Sequence, residues 1–209
     1  QMAVKEGWLS SIPRELIVVK MDGWKRSMFF DETSLPWVPP SPNIPNLTTA
    51  FIYPGMCLYE ATNVSEGRGT DKPFRQIGAP WMNFDIAKEM KIQDLKGVDF
   101  KYAKFKPINL PGRAENPKFE GYICVGQKIV ITDKNEFRPV DTAIYSLMVT
   151  VIFYMDNFRY DAKRIGYLWG NNLMNRFLRG DLKPKTLFKL LNQDQEKFII
   201  QSAPYYLYQ

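Results

Sequence analysis

The 209-residue chain contains no histidine. That absence excludes Ser-His-Asp and Cys-His triads, imidazole acid/base chemistry and nearly every catalytic zinc site from its own residues. Only two cysteines are present, Cys57 and Cys124. They lack C-x-x-C spacing, so neither a metal knuckle nor a thioredoxin-like redox motif is supported, and they read as buried free thiols or, in an oxidising compartment, as a disulfide pair. No run of about 18 apolar residues occurs, the longest candidate being Met148 to Phe153, so no membrane-spanning helix is expected. The glycines of Glu66-Gly67-Arg68-Gly69-Thr70 lack a third glycine and the G-K-[ST] ending of nucleotide loops, and no strand-to-helix transition frames them. Carboxylates, Arg, Lys or Tyr must carry any chemistry.

What is present is an ordinary globular composition. With 45% apolar residues and 14% aromatics, the chain can bury one core, or two small ones. The formal net charge is +6, but the bases are scattered. The densest groups, Lys101, Lys104 and Lys106, then Lys183, Lys185 and Lys189, are interleaved with apolar residues. They read as a solvated basic surface, and without an RNA-stacking motif no nucleic-acid partner is expected. The chain opens on Gln1 with neither Met nor a basic-then-apolar leader, which leaves open a removed secretory signal or a piece of a longer chain.

Periodicity predicts the elements. A short helical pattern lies within 1–10, and Leu16 to Met21 reads as a buried strand. Residues 31–45 hold five prolines, which forbid regular helix or ladder pairing. Trp37, Val38 and Ile44 are the apolar residues expected to pin this segment as an ordered loop. Leu47 to Tyr53 is predicted helical with Asn46 as N-cap, ending at Pro54-Gly55. An amphipathic helix is expected from Asn83 or Asp85 to Gly97, and strands over 98–105 and 122–133, the second with a bulge at Gly126. A helix opens at Arg138-Pro139, with further helical patterns near 162–169, 171–179 and 184–202. Asp133 reads as a turn or cap residue, Trp37 and Trp81 as packing for the loops or, alternatively, stacking faces for a sugar, and Tyr205, Tyr206 and Tyr208 as anchors for the tail or an adhesive for another subunit.

The stretch TNVSEGRGTDKPF, Thr62 to Phe74, is the least periodic and most polar. Glu60, Asn63, Ser65, Glu66, Arg68, Thr70 and Asp71 lie within twelve positions and offer both donors and acceptors, as sugar sites do. Glycosidic hydrolysis needs only two carboxylates, which suits a chain without histidine. The alternative is an Arg-carboxylate pair that merely pins a surface loop. A basic polymer-binding surface with no pocket is a third reading, distinguished by steep salt dependence.

SPNIP (41–45), YPGMCLYEATNVSEGRGTDKPF (53–74), IGAPW (77–81), CVGQKIVITD (124–133), FRPV (137–140) and the terminal YYLYQ resemble, in order and spacing, the NamZ-type exo-β-N-acetylmuramidase family. The resemblance implies an α+β fold: residues 1–82 as the remnant of a Rossmann-like α/β domain plus site-forming loops, and 83–209 as an auxiliary domain with a small sheet and several helices. It implies a glycosidase that releases β-1,4-linked N-acetylmuramic acid from the non-reducing ends of peptidoglycan fragments in cell-wall turnover and recycling. Such an enzyme uses no metal or organic cofactor and works in the periplasm or outside the cell. Asn43, Asn63, Ser65, Arg68 and Thr70 would then bind substrate, with Arg68 and the loop amides on the lactyl carboxylate or the N-acetyl group, and Glu66 and Glu60 would be catalytic candidates. Family members are nearly twice as long, and the main acid is expected in their N-terminal part, so the chain is expected to associate with that domain or with itself. A non-catalytic carbohydrate-binding or accessory module is the alternative.

Overall fold

The computed structural model describes residues 1–208. In chain order the elements are α1 (Met2–Lys5), α2 (Leu47–Met56), β1 (Gln76–Ala79), α3 (Ile86–Ile92), β2 (Val98–Phe105), β3 (Cys124–Ile131), α4 (Pro139–Tyr154), α5 (Ala162–Trp169), α6 (Leu173–Leu178) and α7 (Pro184–Ser202). Single 3-10 turns occupy Phe30–Glu32, Cys57–Ala61 and Ala203–Tyr205. The fold class is α+β, and among the described residues no helix is long and apolar enough to cross a membrane.

Trp37–Asp181 forms one compact unit. Its sheet is antiparallel in the order β1-β3-β2. β1 lies before residue 82 and β3 after it, so the two sides of that position share one sheet. Gly126 stands opposite both Gly78 and Ala103 in an unbroken register. The bulge expected there is absent: a Cβ at Gly126 would lie 2.0 Å from Ile77 O, so the glycine answers a close approach between strands. α2 packs on α4, α3 on β2 and α4, and α5 on α6 and the 57–61 turn. Ile52, Met56, Phe74, Ile77, Phe100, Ile129, Ile144 and Leu147 fill the interior.

Capping explains the helix starts. Asn46 Oδ1 accepts from Thr49 N at 3.0 Å, Asp85 Oδ1 from Ala87 N at 3.2 Å, and Asp161 Oδ1 from Lys163 N at 2.9 Å. The ends differ from expectation. α2 runs through Pro54 to Met56 and straight into the 57–61 turn, its burial against α4 outweighing the missing N–H. α3 stops at Ile92, and Gly97, at φ +71°, turns the chain into β2 instead of ending the helix.

The second unit comprises Gln1–Pro36 with the C-terminal segment from Leu182 onward. The strand expected over Leu16 to Met21 does not form, and these residues are exposed. A β-branched run needs a ladder partner, and among the described residues none pairs with it. Val38, in the first unit, is exposed too and does not pin its loop. The tail tyrosines dock within the second unit: Tyr205 Oη donates to Glu6, Tyr206 Oη bonds Ser202 Oγ at 2.7 Å with its ring 3.7 Å from the Arg26 guanidinium, and Tyr208 Oη accepts from Met21 N at 2.7 Å.

Candidate functional site

The loop 62–75 is tied down along its backbone. Thr62 bridges to Tyr160 and Ser65 to Gly78 of β1, while Phe74 N donates to Glu66 O at 2.6 Å and Ile108 N to Gly69 O at 2.9 Å. Gly67 has φ +79°, and a Cβ there would meet Lys72 O and Gln76 O at 2.8 Å, so conformation and space both demand glycine. Phe74 holds φ +60° while buried, a strained conformation that persists only where its surroundings fix it. Its ring packs edge-on to Tyr53 at 4.8 Å, and the Arg68 guanidinium lies 5.3 Å from its centre.

Two acids and three cations interlock on this base. Glu66, 4% exposed, has Oε1 3.7 Å from Arg68 Nε and Oε2 2.9 Å from Lys118 Nζ. Glu60 has Oε1 3.2 Å from Arg68 Nη2 and Oε2 2.9 Å from Arg164 Nη2. Every carboxylate oxygen faces a cation. Lys118 also donates to Tyr59 O at 2.7 Å and Val64 O at 3.1 Å, clamping the chain on both sides of Glu60. Burial pulls the Lys118 ammonium below its ordinary value, opposed by the charge of Glu66.

Glu60 is placed by its neighbour. The buried Tyr59 Oη bonds Ser146 Oγ at 2.7 Å and Thr150 Oγ1 at 3.2 Å on α4, and Gln127 Nε2 of β3 donates to Ser146 Oγ at 2.6 Å. This polar network in the core sets the 57–61 turn against helix and sheet together.

Asn43, Glu60, Glu66, Arg68, Arg113, Ala114, Lys118 and Arg164 line an open cleft of about 250 Å³ with Glu115, Asn116 and Pro117. Asn63, Ser65 and Thr70, expected to line it, are engaged elsewhere. Asn63 Nδ2 donates to Asn157 O at 2.8 Å and its Oδ1 accepts from Arg159 N at 2.8 Å. Ser65 Oγ accepts from Gly67 N at 3.2 Å, and Thr70 Oγ1 donates to Gly67 O at 2.6 Å. These are loop-holding bonds. Arg68, expected to be the carboxylate receptor, turns its Nε–Nη2 edge to Glu66 and Glu60.

Arg113, Lys118 and Arg164 were not anticipated. The first two lie in PINLPGRAENPKFEG (107–121), whose three prolines and two glycines share the irregular texture of the 62–74 loop, and that texture is the one signal available. Arg164 sits on α5, where a basic residue reads as a solvated face. Among the described residues no three Cys, Asp or Glu side chains group to hold a metal ion. Both thiols are free and buried, and burial pushes Cys57 up to about 11 and Cys124 up to about 12.

An α+β unit with a small cleft walled by paired acids and cations defines a site for a compact polar ligand, since apolar pockets are lined otherwise. The comparisons name the family. The model of exo-β-N-acetylmuramidase NamZ, C-terminal, matches residues 51–208, and its N-terminal counterpart matches residues 1–48. Over 151 residues the chain is 40% identical to the peptidoglycan β-N-acetylmuramidase NamZ of Bacillus subtilis (strain 168), covering 72% of this chain and 35% of that protein. Two solved structures of DUF1343 family proteins from Bacteroides fragilis NCTC 9343 align over all of it at 26% identity, with TM-scores of 0.89 and 0.72, and over 54% and 53% of their own chains. The chain belongs to the NamZ exo-β-N-acetylmuramidase family. It spans about half the length of those solved relatives and about a third of the Bacillus protein.

Proposed function

We propose that this chain supplies the sugar-binding side of a peptidoglycan-fragment glycosidase, one that releases β-1,4-linked N-acetylmuramic acid from non-reducing ends during cell-wall turnover and recycling. The observation that carries this reading is the Glu60–Arg68–Glu66–Lys118 network lining a polar cleft in the segment that matches the family model. Glu60 and Glu66, with their oxygens turned to cations, serve as fixed acceptors. They hold the cations in place on the sugar-binding side of the cleft. The proton donor then belongs to the part of the longer relatives that this chain does not span. Residues 1–48 are read as the end of a Rossmann-like domain, and the substrate places the reaction in the periplasm or outside the cell.

The engagement of both acids in ion pairs also favours a second reading, a non-catalytic carbohydrate-binding module. The deciding experiment is release of a chromogenic aglycone from a β-N-acetylmuramide by the chain alone and by the chain mixed with the N-terminal domain of a longer family member. Silence alone and turnover on mixing, abolished by Glu66→Gln, is the expected result. Turnover by the chain alone would put Glu66 or Glu60 in the catalytic set. Binding of the sugar without turnover in either case would select the module, and neither binding nor turnover would end both readings.

A further inference from the structure

Four cations line the cleft, Arg68, Arg113, Lys118 and Arg164, against three acids, Glu60, Glu66 and Glu115. Three of the cations are held by Glu60 and Glu66. Glu115 turns its Oε1 to Gly112 N at 3.3 Å. Arg113 is left over: it lines the cleft, and among the described residues it forms no ion pair. A guanidinium offers donors only, in a planar fork that matches a carboxylate.

Arg113 is also rigidly presented. It lies within the tight turn Leu110-Pro111-Gly112-Arg113-Ala114, closed by Leu110 N donating to Ala114 O at 3.0 Å and Ala114 N to Leu110 O at 2.8 Å. Asn43 is fastened to it, its Nδ2 donating to Arg113 O at 2.7 Å. A carbonyl can only accept, so the amide orientation of Asn43 is set and its oxygen is the free end. That Oδ1 is buried without a hydrogen-bond partner, on a residue that lines the cleft. A buried acceptor with no donor loses the desolvation energy that a ligand N–H or O–H would restore.

The cleft lining thus holds one cation outside the ion pairs, suited to a carboxylate, and, on the residue bonded to its backbone, one acceptor without a donor. Resting on the muramidase reading, we propose that Arg113 and Asn43 read the two substituents that set N-acetylmuramic acid apart as a ligand: Arg113 binds the lactyl carboxylate, and Asn43 Oδ1 accepts from the neighbouring acetamido N–H. Arg68 orients the acids and does not bind the carboxylate.

The test is titration of the 209-residue chain with N-acetylmuramic acid and with N-acetylglucosamine, which carries the acetamido group but no lactyl carboxylate, followed by amide chemical-shift perturbation. The wild type should prefer the muramyl sugar. Arg113→Ala should lower its affinity for that sugar at least tenfold, about one bidentate charge-assisted interaction, and leave the glucosamine sugar unchanged. Arg113→Lys should recover only part, because the ammonium lacks the fork. Asn43→Ala should weaken both sugars alike. A wild-type preference that survives Arg113→Ala would overturn this assignment while leaving the muramidase reading intact. A wild type that binds neither sugar would overturn both.

Discussion

Lys118 shows how one residue can hold a site together. Its ammonium serves three backbone carbonyls, of Tyr59, Glu60 and Val64, and Glu66, so removing it strands four acceptors in a mostly buried place. Lys118→Met keeps the stem and deletes the donors. The expected loss is about 2–4 kcal/mol, read as a lower urea midpoint. Lys96→Met removes the partner of Asp94 in a pair that is exposed on both sides and should change stability by less than about 0.5 kcal/mol. Equal effects of the two substitutions would refute the view that Lys118 clamps the 59–66 segment.

Among the elements, the junction of the three strands is the tightest point. Gly126 lies across from Gly78 on one side and Ala103 on the other, and a Cβ there would strike the backbone of Ile77. Gly126→Ala must push β1 away from β3, and β1 directly follows the site loop. A loss of about 3 kcal/mol is expected, together with weaker sugar binding. Gly166, inside α5, has nothing nearer than Asn175 Nδ2 at 3.4 Å. There alanine should stabilise by roughly 0.5–1 kcal/mol through helix propensity alone. Thermal melts of the two variants moving in the same direction would contradict this geometry.

For the whole molecule, alkaline pH is the revealing variable. The two buried thiols titrate from 9.0 when unfolded but only near 11 for Cys57 and 12 for Cys124 in the folded chain, and burial likewise raises Tyr59 above 10.0. A raised folded value means stability that is complete below the unfolded value and lost as pH climbs through the folded one. Lys118 works the other way, because its lowered value adds stability as pH rises toward 10.5. The thiols should prevail, with a denaturation midpoint flat to about pH 9 and then falling, each thiol contributing roughly 2 kcal/mol by pH 11. Replacing both with alanine should flatten the fall between pH 9 and 10.5; an unchanged slope would assign the loss to other groups. Exposed apolar residues matter at the same scale. Ile12, Ile17, Val19 and Met21, with Phe198, Ile199 and Ile200 of α7, lie open to solvent. Such a surface should bind a hydrophobic dye and drive self-association, measured by light scattering, and a monomeric, dye-silent chain would contradict it.

The sequence by itself determined the position of β2, the starts of α2, α4, α5 and α7, and the polar loop with Glu60, Glu66 and Arg68. Each of these rests on a local period, a cap or a short string of residues, and such signals survive without neighbours. Leu16 to Met21 has the composition of a strand but forms none, because a strand exists only through its partner. Tertiary structure alone decided which cation meets which acid and which groups remain free. Lys118 lies 52 positions from Glu66, Arg164 lies 104 from Glu60, and the Asn43–Arg113 bond spans 70. Ion pairs and hydrogen bonds depend on approach within about 3 Å, and no local pattern in the chain encodes that distance.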